Sequence, residues 1–194
     1  MPWEKGTVNF EACSGLIGLL QYFLWMASIS IASPDGLFEK ILADGSTISN
    51  SRRFISEAYL NLELAESQPM SVLLDIIRFK WSKVILISHY DDDLIFSSRR
   101  RIPVITFAHS EISSNVATEK CRRDGVIVRS GFFLSECCLK SWMDNYALNS
   151  GSGPALDAEK FKKEGAIRAS LCHYNTHEDV KRLIDSLENI EGWL

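Results

Sequence analysis

The longest feature of the hydrophobic pattern is a run from Ala12 to Pro34 without one charged side chain. A bilayer takes about 20 predominantly apolar residues to cross, so the run is long enough. It also holds Ser14, Gln21, Ser28, Ser30 and Ser33, and no Lys/Arg cluster stands at either end to orient it. A helix apolar on every side suits burial inside a larger protein. Burial is the expectation here, with a membrane anchor over Ala12–Pro34 as the alternative. Ser33-Pro34-Asp35-Gly36 then signals a turn. A modestly amphipathic stretch follows around Leu37–Leu42, and a helical pattern from about Arg53 to Ala65. Met70–Ile77 is apolar and fits helix or strand alike. Lys83–Ser88 and Pro103–Phe107 read as strands, with Asp91–Asp93 between them as a solvated loop.

The second half is more regular. Ser110 offers an N-cap to a helix carrying Ile112 and Val116, closed at Asp124-Gly125, where glycine suits a left-handed residue. Val126–Val128 predicts a short strand that delivers Arg129. Leu148–Pro154 is a flexible loop by composition. Ala166–Cys172 predicts another strand, with Arg168 on it. The clearest element is the last helix: Asn175 at the cap, Glu178 three residues on, and Val180, Leu183, Ile184, Leu187 and Ile190 along one face. The pattern is that of an α/β chain whose second half makes a two-layer domain.

Composition narrows the function classes. The 194 residues are 46% hydrophobic and 24% charged, an ordinary globular balance that needs no disulfide or metal staple. The net charge of −4 and a pI near 5.6 argue against a nucleic-acid partner. The short basic runs, Arg52-Arg53, Arg99–Arg101 and Arg122-Arg123, read as solvated faces or loop edges. Five cysteines, with no CxxC pair among them, predict a reduced, cytoplasmic chain. His173 and His177 are four apart but lack a third ligand in the pattern, so no metal is expected.

Several segments go beyond pattern. Gly6-Thr7-Val8-Asn9-Phe10-Glu11 precedes the apolar helix. Arg101-Ile102-Pro103-Val104-Ile105-Thr106-Phe107 and Gly125-Val126-Ile127-Val128-Arg129-Ser130-Gly131 follow in the middle of the chain. Gly165-Ala166-Ile167-Arg168-Ala169-Ser170-Leu171 runs into Tyr174-Asn175-Thr176-His177-Glu178-Asp179. In this order they resemble the C-terminal part of the class V aminotransferases, the pyridoxal-phosphate family that includes cysteine desulfurases and selenocysteine lyases. The likeness covers residues 1–35 and 99–190, and residues 37–98 match poorly. It implies the α/β small domain of a fold type I enzyme over 37–194. Residues 1–36 would be a remnant of the large domain, whose helices precede the small domain.

The resemblance also implies roles. Thr7 stands where the family's threonine hydrogen-bonds the cofactor phosphate of the neighbouring subunit in a dimer. Arg168 stands where the family holds the substrate carboxylate, a task suited to a planar, permanently charged guanidinium; read from the residues alone, a strand arginine between apolar neighbours is a structural ion-pair partner. Arg129 is either an active-site wall or a structural anchor. Desulfurases carry their nucleophilic cysteine at the position that falls here on Leu134, with Cys137 and Cys138 three and four residues further on.

Pyridoxal-phosphate chemistry further needs a Schiff-base lysine, which in this family follows a histidine upstream of the Gly-Thr motif. None of the ten lysines follows a histidine, and Met1 sits just before that motif. The expectation is thus the C-terminal part of a class V enzyme acting on an amino acid and inactive alone. A homodimer or a lysine-bearing partner chain would complete it. The alternatives are a non-catalytic interaction module that retains the fold and a small membrane-anchored protein.

Overall fold

The computed structural model describes residues 9–28, 48–87, 102–149 and 154–194. Thr7, the turn at Ser33–Gly36, the stretch Leu37–Leu42 and the Asp91–Asp93 run lie outside them. The chain divides into two compact units, Met1–Leu64 and Ala65–Leu194.

In the first unit the uncharged run forms helix α1 (Phe10–Ser28). Its side chains from Glu11 to Gln21 are exposed, and only Met26 and Ala27 are buried. They meet Ala58 on helix α2 (Ile48–Phe79), with Tyr22, Phe23, Phe54 and Leu62 packed around them. Asn61 closes this contact by donating from Nδ2 to the Met26 carbonyl at 2.7 Å. Within this chain the burial of α1 is confined to its last turns, and Leu16, Ile17, Leu20 and Trp25 face outward.

Helix α2 unites two segments that the sequence separates. The pattern stops near Ala65 because Pro69 follows, and an internal proline removes one backbone donor and crowds the preceding turn. The helix nevertheless continues through a buried Pro69 to Phe79. Met70–Ile77 is therefore helix, and its apolar residues serve the core of the second unit.

That unit is built on a four-stranded antiparallel sheet of order β1-β2-β4-β3, with β1 Val84–Leu86, β2 Val104–His109, β3 Arg129–Gly131 and β4 Ala166–Ser170. Side chains alternate between its faces. Ile105, Phe107, Ile167 and Ala169 point to one face. There Leu73, Leu74, Ile77 and Trp81 join them with Ala117 and Cys121 of helix α3 (Ser114–Arg123). Val180, Leu183 and Leu187 of helix α6 (His177–Glu188) complete this core. On the opposite face, Ala108 and Ala166 meet Leu139 and Met143 of helix α4 (Glu136–Asn149) and Phe161 of helix α5 (Ala158–Glu164). These two helices cover one end of the second face.

The strand and helix bounds correct several expectations. The α3 cap is Ser113, whose hydroxyl accepts from the Asn115 and Val116 amides, while Ser110 is buried at the end of β2. Residues 126–128 form no strand, and β3 begins at Arg129. The α6 cap is Thr176, which shares a reciprocal capping box with Asp179. Asn175 instead accepts from the Cys172 amide at 2.8 Å.

The C-terminal residues are tied to the sheet by His109. Its Nδ1 accepts from the Glu111 and Ile112 amides at 3.1 and 3.0 Å, so Nε2 carries the proton and donates to the Trp193 carbonyl at 3.1 Å. Burial pushes the imidazole below its ordinary pKa, against the Trp193 bond and the Glu111 charge, which raise it.

Candidate functional site

Arg168 lies in the middle of β4, opposite Arg129 on one side and Thr106 on the other. Residues directly opposite in an antiparallel pair point to the same face, so these three side chains share one row. The row lies on the face that α4 and α5 cover only at its Ala108–Ala166 end. Arg168 is half-buried and Arg129 exposed. Like charges directly opposite one another repel, and a carboxylate between them is the ordinary remedy. Among the described residues neither arginine has an ion pair with an acid, and Arg168 Nε is buried without a hydrogen-bond partner. The two cations thus share one face with no paired acid among the described residues.

The turn after β3 shapes the edge of this row. Gly131 has φ 125°, a conformation open to glycine. Phe133 and Leu134 follow with φ 53° and 61°, both left-handed. The turn closes with the Ser135 amide donating to the Phe132 carbonyl at 2.8 Å. It sends Leu134 fully into solvent and brings the Phe133 ring to 4.7 Å from Arg168 Cζ. The sequence carries no signal for this contact, because nothing marks a phenylalanine for a left-handed backbone. Beside it, Ser130 donates to Asn115 Oδ1 at 2.9 Å, fixing β3 to the start of α3.

The other residues named from sequence are dispersed. Thr7 lies outside the described residues. Leu134, at the desulfurase cysteine position, presents no thiol, while Cys137 and Cys138 are exposed in the first turn of α4. His173 packs edge-on against Tyr174, with ring centroids 5.2 Å apart. Among the described residues no three His, Cys, Asp or Glu side chains converge as a metal set. A separate groove of about 370 Å³ runs between residues 125–128 and the start of α6, past Cys172, Asp179 and Arg182, and Arg168 does not line it.

The aminotransferase class-V family model matches residues 84–183, just over half of the chain. That span contains β1 to β4, both arginines and the Phe133 turn. The chain belongs to the class V aminotransferase family, whose members depend on pyridoxal phosphate, and its sheet and helices are an α/β part of the fold type I architecture. Among solved structures it is similar to a NifS-like protein from Rickettsia africae ESF-5. The two are 17% identical, with a TM-score of 0.45, over 71% of this chain and 32% of the other. The chain thus spans about a third of that protein's length. No curated protein matches it.

The described residues do not by themselves fit a covalently held pyridoxal phosphate. Lys80, Lys83, Lys120, Lys140 and Lys162 are engaged in ion pairs with acids. Lys160 donates to the Glu111 carbonyl, and Lys163 and Lys181 are exposed. None of these ammonium groups is buried, whereas a Schiff-base lysine is activated by desolvation or a neighbouring cation.

Proposed function

We propose that the chain forms the substrate-carboxylate side of a pyridoxal-phosphate site that acts on an amino acid. The observation that carries this reading is Arg168, half-buried on an open sheet face, opposite Arg129 and without a paired acid among the described residues. Arg168 grips the α-carboxylate through its guanidinium edge, and Arg129 adds positive potential to the same face. Thr7 supplies a hydroxyl to the phosphate of a partner subunit's cofactor, as the family resemblance implies. The Schiff-base lysine comes from outside these 194 residues, in a dimer or a lysine-bearing partner chain. By itself the chain turns over no amino acid, and its setting is the cytoplasm.

The reading is tested by mixing the chain with a class V large domain that carries the lysine, in the presence of pyridoxal phosphate. Internal Schiff-base absorbance and amino-acid turnover are expected in the mixture alone. Arg168→Ala is expected to abolish turnover and leave the absorbance. Loss of absorbance in that variant would count against the carboxylate role.

A second reading rests on α1, which is 19 residues long, apolar enough to cross a membrane and mostly exposed. There the helix anchors the chain in a bilayer. Full solubility of the purified chain without detergent would dismiss the anchor.

A further inference from the structure

We propose that Phe133 is the positioning residue for Arg168, holding its guanidinium plane by a cation–π contact so that the remaining donors face an incoming carboxylate. The proposal rests on the carboxylate role assigned to Arg168 above.

The turn between β3 and α4 adopts an uncommon backbone for what it achieves. A left-handed conformation is costly for an ordinary L-residue. Here two successive non-glycine residues, Phe133 and Leu134, adopt it. Such strain persists only where surrounding contacts fix it. Leu134 gains none, since it is fully exposed. Phe133 gains two: it packs against the cluster formed by Leu139, Met143 and Phe161, and its ring lies 4.7 Å from Arg168 Cζ.

The type of contact matters as much as its presence. A carboxylate partner would occupy the guanidinium edge and compete with any substrate. An aromatic face attracts the cation through its quadrupole while accepting none of the in-plane donors. The Arg168 side chain makes no hydrogen bond to the described residues, and its Nε is buried without a partner. The guanidinium is therefore held against the Phe133 ring, with no donor committed to an acceptor among the described residues. A long, flexible side chain loses rotamer freedom on binding, and holding it in place beforehand removes that cost from the binding step.

The test uses the full chain, labelled with ¹⁵N, and L-alanine as the probe. The Arg168 Nε–Hε resonance is identified by its loss in Arg168→Lys. In the native chain it is expected upfield of its ordinary position, from the ring current of Phe133, and to shift saturably with L-alanine. Phe133→Leu keeps an apolar side chain and lacks the aromatic face. It is expected to weaken L-alanine binding about fivefold, the equivalent of about 1 kcal/mol. Phe133→Trp is expected to restore binding to within about twofold.

Native affinity in Phe133→Leu, with binding lost in Arg168→Lys as followed there through the backbone amides of β4, would overturn the positioning role and leave the carboxylate reading standing. Native affinity in both variants would overturn the two together, as would a native Arg168 signal that ignores L-alanine. An unshifted Hε in the native chain would overturn the stacking whether or not the Leu variant folds.

Discussion

Arg129 and Arg168 face each other across adjacent antiparallel strands, on the same side of the sheet, with no acidic side chain paired to either among the described residues. An arginine kept for stability is normally found with a carboxylate. Like charges directly opposite one another disfavour a strand pair, and in the function proposed above this pair receives a carboxylate from outside.

It follows that Arg168→Met should leave folding intact. Methionine keeps an unbranched stem for packing and removes both the unpartnered Nε and the like-charge opposition. Urea unfolding is expected to show stability unchanged or raised by up to about 1 kcal/mol. A loss above about 2 kcal/mol would mark Arg168 as a structural partner.

His109 predicts an acid-sensitive C-terminus. The folded protein holds the imidazole neutral, because burial lowers its pKa and Nδ1 is occupied by two backbone donors. The unfolded chain takes up a proton near the ordinary value of 6.5. The unfolded state then binds more protons, so this group's stability is whole above pH 6.5 and is lost as pH falls through the depressed folded pKa. His109→Gln is expected to cost about 1–3 kcal/mol at pH 7.5, since two amides lose their acceptor. It should also flatten the decline between pH 7 and 5, read from urea midpoints across that range.

Two glycines with similar φ separate strain from collision. A Cβ on Gly165, φ 73°, would lie 2.3 Å from the Gly131 carbonyl oxygen, where β4 meets the end of β3. A Cβ on Gly125, φ 78°, would meet nothing within 4 Å. Gly125→Ala is expected to cost about 1–2 kcal/mol from backbone strain alone. Gly165→Ala should cost more than about 2 kcal/mol or prevent folding, as thermal melts of the two variants would show.

The α6 start predicts a contrast between neighbours. Thr176→Ala should cost about 1 kcal/mol by removing the N-cap acceptor for the Asp179 amide. Glu178→Ala should be nearly silent, because Glu178 is exposed and takes no part in the box. Paired thermal unfolding of the two variants checks the assignment.

The cap shows how the sequence misleads by one residue. Asn175 and Glu178 have the spacing of a capping box, and so do Thr176 and Asp179; the choice falls to Asn175's bond with the Cys172 amide, a turn contact that no local pattern states. The buried face of α6 needed no such detail, since its 3.6-residue period is unambiguous. Helix α4 carries its pattern in the sequence. Leu139, Trp142, Met143 and Tyr146 recur at helical spacing, and Trp142 stacks on Tyr146 at 5.1 Å. Helix α5 likewise carries its signals, Asp157 at the cap and Gly165 at the close.

Motif resemblance singles out Arg168 and Arg129, whereas periodicity marks only a charged residue on a strand. Their direct opposition depends on strand order, since β3 and β4 are separated by two helices in sequence. Phe133 was beyond reach because its role arises from a left-handed backbone that sequence does not announce.

The most direct test of the central claim compares L-alanine with L-alaninamide as probes of the full chain, followed through the Arg168 Nε–Hε resonance. The two differ in the carboxylate and share the amine and methyl groups. The carboxylate role of Arg168 predicts a saturable shift with L-alanine and none with L-alaninamide. Equal responses to both probes, or none to L-alanine, would contradict it.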